Sequence, residues 1–251
     1  MKLTKANKLA CPLDGLPLAR HDKQYICPKG HCFDLARQGY LNLLPVQFKA
    51  SKEPGDSKEM VAARTGFLNQ AYYQPIAEKL TNLVSQHLSE QNQESVCILD
   101  AGCGEGYYLK FLEDNLKSEA SDISLIGLDI SKPAIIAAAR RSKQISWLVA
   151  SNKHVPVLNS SVDIIICMFG YPDYERFKQI LKPEGKLILV EAGENHLLEL
   201  RKIIYSDLKR KQVEKEQTMI DCGFIVKDES ELSYKIEINS SSQIHNLLCM
   251  T

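Results

Sequence analysis

Between residues 95 and 190, short runs rich in β-branched and other apolar residues (VCILDAG, SLIGLDI, SWLVAS, VDIIICMF, KLILVEA) alternate with runs of helical period (YLKFLEDNL, PAIIAAARRS, YERFKQIL). Strands joined by helices cannot pair as hairpins. They form a parallel sheet with helical crossovers, so the alternation predicts an α/β, doubly wound, Rossmann-like fold. Another helical run, HLLELRKIIYSDLKRK, comes after the fifth strand, and GFIVKDESELSYKIEI reads as a later strand with its turn. Upstream, apolar residues recur at three- and four-residue spacing (Met60, Ala63, Phe67, Ala71, then Ile76, Leu80, Leu83), which predicts two helices broken near Pro75.

The first of these strands ends in the turn Asp100-Ala-Gly-Cys-Gly-Glu-Gly-Tyr-Tyr. Glycines at 102, 104 and 106 let the backbone approach a ligand where a Cβ would collide. A dinucleotide fingerprint would read G-x-G-x-x-G; here the spacing is G-x-G-x-G and an aspartate precedes it. A pyrophosphate wants a bare helix N-terminus, whereas the methionine end of S-adenosyl-L-methionine carries an ammonium and a sulfonium. Asp100 and Glu105 answer that charge. Asp129 closes the second strand, about 20 residues on, where an acidic group accepts hydrogen bonds from the ribose hydroxyls. Ser151 and Asn152, ending the third strand, fall beside the adenine. A lone G-x-G-x-G is often only a tight turn. Asp129 in register after a second strand, and KPEGKL before a fifth, give the order of a class I methyltransferase.

The head of the chain has a different character. Residues 11–44 alternate apolar pairs with turn residues (CPLDG, CPKGH) and show no long helical period. A unit below about 40 residues usually needs a metal or disulfides. Of the eight cysteines, Cys11, Cys27 and Cys32 crowd this head with His21 and His31; Cys97, Cys103, Cys167, Cys222 and Cys249 are scattered through apolar patterns. The first group is the metal candidate. The run PVQFKASKEPGDSKEM reads as a linker in which Asp56 or Ser57 caps the next helix, so the chain divides into residues 1–55 and 56–251. Residues 1–66 hold 11 Lys and Arg against 6 Asp and Glu, the remainder 20 against 25. A basic head on an acidic body suits an anionic macromolecular partner. No run approaches the roughly 20 apolar residues of a membrane span, and the start MKLTKANKLA has no signal-peptide core, so a cytoplasmic location without membrane contact is expected.

Taken with CPLD and ICPKGHCFDLARQGYLNLLPVQ at the head, EPGDS in the linker, YYQPI, LDAGCGEGYY, GLDISKPAIIAAARR and NHLLELRKIIY, the chain resembles the RlmA-type methyltransferases along nearly its whole length. These methylate N1 of a guanine in a hairpin of 23S ribosomal RNA. The resemblance implies a zinc-ribbon-like RNA-recognition module at the head, with ligands in the pattern C-x2-C and C-x3-H. In this sequence these are Cys11, Asp14, Cys27 and His31, so an aspartate stands where the family has its second cysteine. Cys32 or His21 is an alternative fourth ligand, and burial as small apolar residues is the alternative for the cysteines. The resemblance also implies cofactor contacts at Tyr73, Gly104, Glu105 and His196, and brings a homodimer into consideration.

Methylation of guanine N1 requires its proton to leave as the nitrogen attacks the methyl carbon. No base is identified by the resemblance. Asp173 in FGYPDYE is the first candidate, with helix capping as its alternative, and Tyr171 is a candidate to stack on an extruded guanine. The family usually has an APC-like sequence here, so GYP is a departure. The sequence stops at LLCMT where relatives continue into a last strand beside the fifth, so an unpaired sheet edge is expected. Rival functions are a small-molecule methyltransferase and a non-catalytic RNA-binding relative.

Overall fold

The computed structural model describes residues 2–49, 51–90, 94–116, 122–204 and 213–250. The chain opens with β1 (Lys2–Thr4), then builds the head from β2 (Ala19–His21), β3 (Gln24–Ile26) and β4 (Cys32–Asp34), three antiparallel strands in the order β2-β3-β4. A further strand, β5 (Tyr40–Asn42), leaves the head. Helix α1 (Lys58–Leu68) starts at Ser57, whose Oγ accepts from the Met60 N–H at 3.3 Å. Helix α2 (Gln74–Ser89) carries Pro75 in its first turn. The proline therefore opens a helix, where its missing N–H is no loss.

The five predicted core strands are all present, as β6 (Ser95–Ala101), β7 (Asp122–Asp129), β8 (Ser146–Val149), β9 (Val162–Met168) and β10 (Leu181–Val190). Between them run α3 (Tyr107–Asn115), α4 (Lys132–Arg141) and α5 (Tyr174–Ile180). The sheet is parallel throughout, in the order β10-β9-β6-β7-β8-β5, and β1 lies alongside the start of β7. Two short strands of residues 1–55 thus enter the large sheet. The last strand is longer than KLILVEA suggests: it begins at Leu181 and shifts register before Lys186. Helices α6 (Leu198–Ile204), α7 (Val213–Asp221) and α8 (Ser241–Met250) follow. Part of the run HLLELRKIIYSDLKRK, residues 205–212, lies outside the described residues.

One face of the sheet is covered by helices. Ala77 and Leu80 of α2, Leu109 and Leu112 of α3, and Ile135 and Ala138 of α4 pack there on Ile98, Leu125 and Ile164. The opposite face is covered by Phe177 and Ile180 of α5 together with the head, through Leu9, Cys11, Leu18, Tyr25 and Cys27 against Leu99, Ile126 and Ile165. The head therefore takes a place that a crossover helix holds in a larger doubly wound sheet.

Residues 224–240 form no strand, contrary to the sequence expectation. A strand needs a hydrogen-bonded neighbour. This segment instead lays Ile236 and Ile238 on a third cluster of Phe67, Leu68, Tyr73, Leu247 and Met250, and the Tyr234 hydroxyl donates to the Tyr72 carbonyl at 3.1 Å. Among the described residues no strand pairs with the outer edge of β10. No helix among them is long and apolar enough to cross a membrane.

Trp147 of β8 is fully buried, and its Nε1 donates to the Ser142 carbonyl at 2.9 Å. A Cβ on Gly127 would lie 2.2 Å from its ring, and one on Gly106 would lie 2.7 Å from it. Gly127→Ala should overpack this contact and cost about 1–3 kcal/mol. Urea unfolding should show a lower midpoint with an unchanged slope, and an unchanged midpoint would contradict the packing account.

Candidate functional site

Two glycine-closed turns form the head cluster. In CPLDG the Gly15 N–H donates to the Cys11 carbonyl (2.8 Å); in CPKGH the Gly30 N–H donates to the Cys27 carbonyl (2.8 Å) and the Cys27 N–H to the His31 carbonyl (3.0 Å). Gly15 and Gly30 have φ of 73° and 84°, the left-handed conformation that glycine takes without strain. Each turn delivers two side chains to one point. Cys11 Sγ and Cys27 Sγ each lie 3.4 Å from His31 Nδ1, Asp14 Oδ2 lies 3.4 Å from Cys27 Sγ and 3.1 Å from His31 Nδ1, and all four donor atoms are within 4.8 Å of one another. Tetrahedral zinc bonds of about 2.0–2.3 Å imply donor–donor edges of about 3.3–3.8 Å, so the four fit one structural zinc ion. The other Asp14 oxygen accepts from the Leu16 N–H at 3.0 Å, which fixes the carboxylate and holds its pKa below the ordinary value. Cys32 and His21 are exposed and outside the cluster, and the fourth position in it is taken by Asp14.

At the C-terminal end of the sheet, the loop from β6 to α3 is fastened to the tip of β7. The Gly102 and Cys103 N–H groups donate to the Leu128 carbonyl (2.8 and 2.9 Å), and the Gly104 N–H donates to Asp129 Oδ2 (2.9 Å). Gly102, Gly104 and Gly106 have φ of 95°, 55° and 83°. Asp129 Oδ1 accepts from the Ser131 N–H at 2.8 Å. Burial pushes the Asp129 carboxyl up, against these N–H groups, which pull it down.

Asp100 is buried, and its Oδ1, like Glu105 Oε1 and Asn152 Oδ1, has no hydrogen-bond partner among the described residues. Burial, with the nearby Asp129 carboxylate, pushes its pKa up to about 8. Glu105 is also buried, paired with Arg141 through one oxygen and with Oε1 unpartnered; burial raises its pKa although Arg141 opposes the rise. Asn152 donates through Nδ2 to the Tyr171 carbonyl at 3.0 Å, while its buried Oδ1 has no partner. Ser151 Oγ accepts from the Lys153 N–H. Unpartnered buried acceptors are rare because leaving one unpaired costs about 1–3 kcal/mol. Asp100, Glu105 and Asn152, at or just beyond the ends of β6 and β8, therefore form acceptor groups suited to a ligand with ammonium, ribose and adenine donors.

A cluster of rings lies over the same end. The Tyr73 hydroxyl and His196 Nε2 are 3.3 Å apart, and Phe169 stacks on the His196 ring at 6.1 Å. Burial lowers the His196 pKa, with Arg201 adding to the effect, and raises that of Tyr73. Asp173 caps α5, Oδ1 accepting from the Arg176 N–H at 2.9 Å; Tyr171 is 88% exposed. Three residues that sequence reasoning passed over also stand here. Arg141 and Arg64 lie within the helical periods of α4 and α1. Phe169 has φ of 51°, unusual for an aromatic residue, and no sequence pattern announces that.

The parallel sheet, the acidic tips of β6 and β7 and the glycine loop define a class I S-adenosylmethionine-dependent methyltransferase carrying an N-terminal zinc ribbon. Residues 9–52 match the family model described as RlmA, N-terminal, and residues 98–185 match that of a methyltransferase domain. A 23S rRNA (guanine(748)-N(1))-methyltransferase of Streptomyces fradiae is 32% identical over 201 residues, covering 80% of this chain and 69% of the relative. A Bacillus subtilis protein named "Putative 23S rRNA (guanine-N(1)-)-methyltransferase YxjB" is 33% identical over 204 residues, 80% of this chain and 70% of the relative. The chain belongs to the RlmA-type family of 23S rRNA (guanine-N1)-methyltransferases. Its fold is shared by a chain of the solved "Complex between the Haloferax volcanii Trm112 methyltransferase activator and the putative methyltransferase", with 24% identity, a TM-score of 0.52, and 75% of this chain and 87% of that one covered.

Two predictions come from this geometry. The Asp100 carboxyl is raised, so below about pH 8 it is largely protonated and must lose its proton to pair with an ammonium. Affinity for S-adenosylhomocysteine should then rise with pH from 6 towards 8, by up to about tenfold per unit, with uptake of a proton by the buffer seen in calorimetry. Asp100→Asn should flatten that slope. In the head, Cys27→Ser should release zinc; losing several kcal/mol of metal-linked stability lowers Tm by roughly 10 °C, at about 2–4 °C per kcal/mol. Asp14→Cys should hold zinc more tightly against a chromogenic chelator, and weaker retention would contradict Asp14 as a ligand.

Proposed function

We propose that this chain transfers a methyl group from S-adenosyl-L-methionine to N1 of a guanine in a hairpin of 23S ribosomal RNA, with residues 1–55 recognising the RNA and residues 56–251 holding the cofactor. The observation that carries this reading is the direct docking of the zinc-ribbon head on the methyltransferase sheet. Strand β5 pairs in parallel with β8, and β8 leads into Ser151 and Asn152 at the pocket. An RNA gripped by the basic head is thereby held at a fixed distance from the reacting end of the sheet. With ribosomal RNA as its substrate, the enzyme acts in the cytoplasm.

In this reading, Asp100 receives the cofactor's ammonium, and Asp129 the ribose hydroxyls. Gly102, Gly104 and Gly106 allow close approach of the backbone, and Glu105 lines the loop. Ser151 and Asn152 take the adenine. Tyr73 and His196 cover the cofactor from the β10 side, and the exposed Tyr171 offers a face on which an extruded guanine stacks. The cofactor supplies an activated methyl on a good leaving group, so the protein's contribution is orientation and acceptance of a proton. The N1–methyl bond forms as the sulfur–methyl bond breaks, and the N1 proton passes to an acceptor. Asp173 is the candidate for that acceptor, since only one of its oxygens is used in capping α5.

Unmodified 23S ribosomal RNA incubated with the protein and S-adenosyl-L-methionine should give a new reverse-transcription stop at a single hairpin guanine, because a methyl on N1 blocks Watson–Crick pairing. Binding of that RNA should weaken steeply with salt. Cofactor binding without any stop on the RNA would remove the substrate assignment.

A further inference from the structure

Arg64 stands where α1 passes the glycine loop, its Cδ 3.8 Å from the position a Cβ on Gly104 would take. Its guanidinium is held from two sides. Nε and Nη2 donate to Asp56 Oδ2 at 3.2 and 2.8 Å, and Nη2 also donates to the Met250 carbonyl in the last turn of α8, at 2.9 Å. Nη1 has no partner among the described residues. The positive charge reaches the pocket, since it draws down the pKa values of Glu105, Asp129 and Tyr73.

The amino-acid end of the cofactor carries two opposite charges. Asp100, Glu105 and Asp129 suit its ammonium, but the same three carboxylates repel its α-carboxylate, and a site built of acids alone would select against it. A cation is needed beside the loop. Arg141 pairs through Nε with Glu105 of the loop itself and through Nη2 with Asn69 Oδ1 at 2.9 Å, so its charge is answered by one of the loop's own acids, whereas Arg64 is paired with Asp56 of the linker. Arg64 has an open N–H face and is rigidly placed, which lowers the entropy lost when it binds an anion.

We propose that Arg64 receives the α-carboxylate of the cofactor's methionine end, and that Asp56 and the last turn of α8 are the positioning partners that aim it. This rests on the cofactor reading of the glycine loop and is independent of the RNA substrate. The linker segment EPGDS then acquires a role in binding. Asp56 orients Arg64 through its carboxylate, and its carbonyl accepts from Ser131 Oγ at 2.7 Å, next to Asp129. Helix α8 likewise acts on the pocket, through the Met250 carbonyl that holds Arg64.

Calorimetric titration with three ligands tests the assignment: S-adenosylhomocysteine, its decarboxylated analogue, which keeps the amine, and 5′-methylthioadenosine, which lacks the whole amino-acid end. The wild-type protein should prefer S-adenosylhomocysteine over the decarboxylated analogue by about 10- to 100-fold, the worth of one charged hydrogen-bonded contact. Arg64→Ala and Arg64→Gln should abolish that preference, leaving affinity for the decarboxylated analogue and for 5′-methylthioadenosine within about twofold of wild type. Arg64→Lys should keep part of it. If Arg64 only ties the linker and α8 to α1, its removal weakens all three ligands alike, and that result overturns the proposal. A wild-type protein that binds the three equally also overturns it. Failure to bind any of them overturns the cofactor reading as well. Should Arg64→Ala fail to fold, Arg64→Gln and Arg64→Lys, which keep a donor for the Met250 carbonyl, carry the comparison.

Discussion

The hydrogen bond from the Gly104 N–H to Asp129 Oδ2 joins the two loops on which the site is built. Through it, the turn after β6 and the turn after β7 become one surface. Around this bond, Leu128 accepts from two successive N–H groups of the glycine loop, and Asp129 also receives the Ser131 N–H that starts α4. Three glycines at positive φ are what allow the loop to lie so close; a Cβ at Gly106 would run into Trp147 and Ala138. Backbone conformation, strand-tip chemistry and packing are thus satisfied by the same few residues.

That surface is held from beneath by Trp147 and from the side by the linker. A Cβ on Gly55 would lie 2.9 Å from Ile130 and Ser131, so only glycine lets EPGDS pass over the β7–α4 turn. The head is tied to the same body by β5, by the Leu9–Val157 bridge and by a shared apolar core. The two cysteine turns need no large core of their own, because the sheet covers their apolar side and a zinc ion held by the four clustered side chains would fix their geometry. The zinc-ribbon head and the methyltransferase sheet are consequently one packed structure.

Much of the fold was legible because periodicity is a local signal. All five core strands and the helices between them could be read from apolar spacing, and the glycine loop with Asp129 from spacing plus charge. The grouping of Cys11, Asp14, Cys27 and His31 was expected through the resemblance, and the fold brings these four together while leaving Cys32 and His21 outside. What escaped was non-local. Residues 224–240 alternate like a strand, yet Ile236 and Ile238 use that alternation to cover Tyr73 and the apolar residues of α1 and α8. Arg64 lies among the apolar positions of α1, and only the fold brings it to Gly104. The entry of β1 and β5 into the large sheet is a pairing between residues more than 100 positions apart, invisible to any local pattern.

The most direct test of the account is amide hydrogen exchange with and without S-adenosylhomocysteine. If the fastened loops are the cofactor site, protection should rise at Gly102–Gly106 and around Asp129–Ser131 when ligand is added, with little change in the antiparallel strands of the head. Unchanged exchange at those loops, or protection gained mainly in the head, would contradict it.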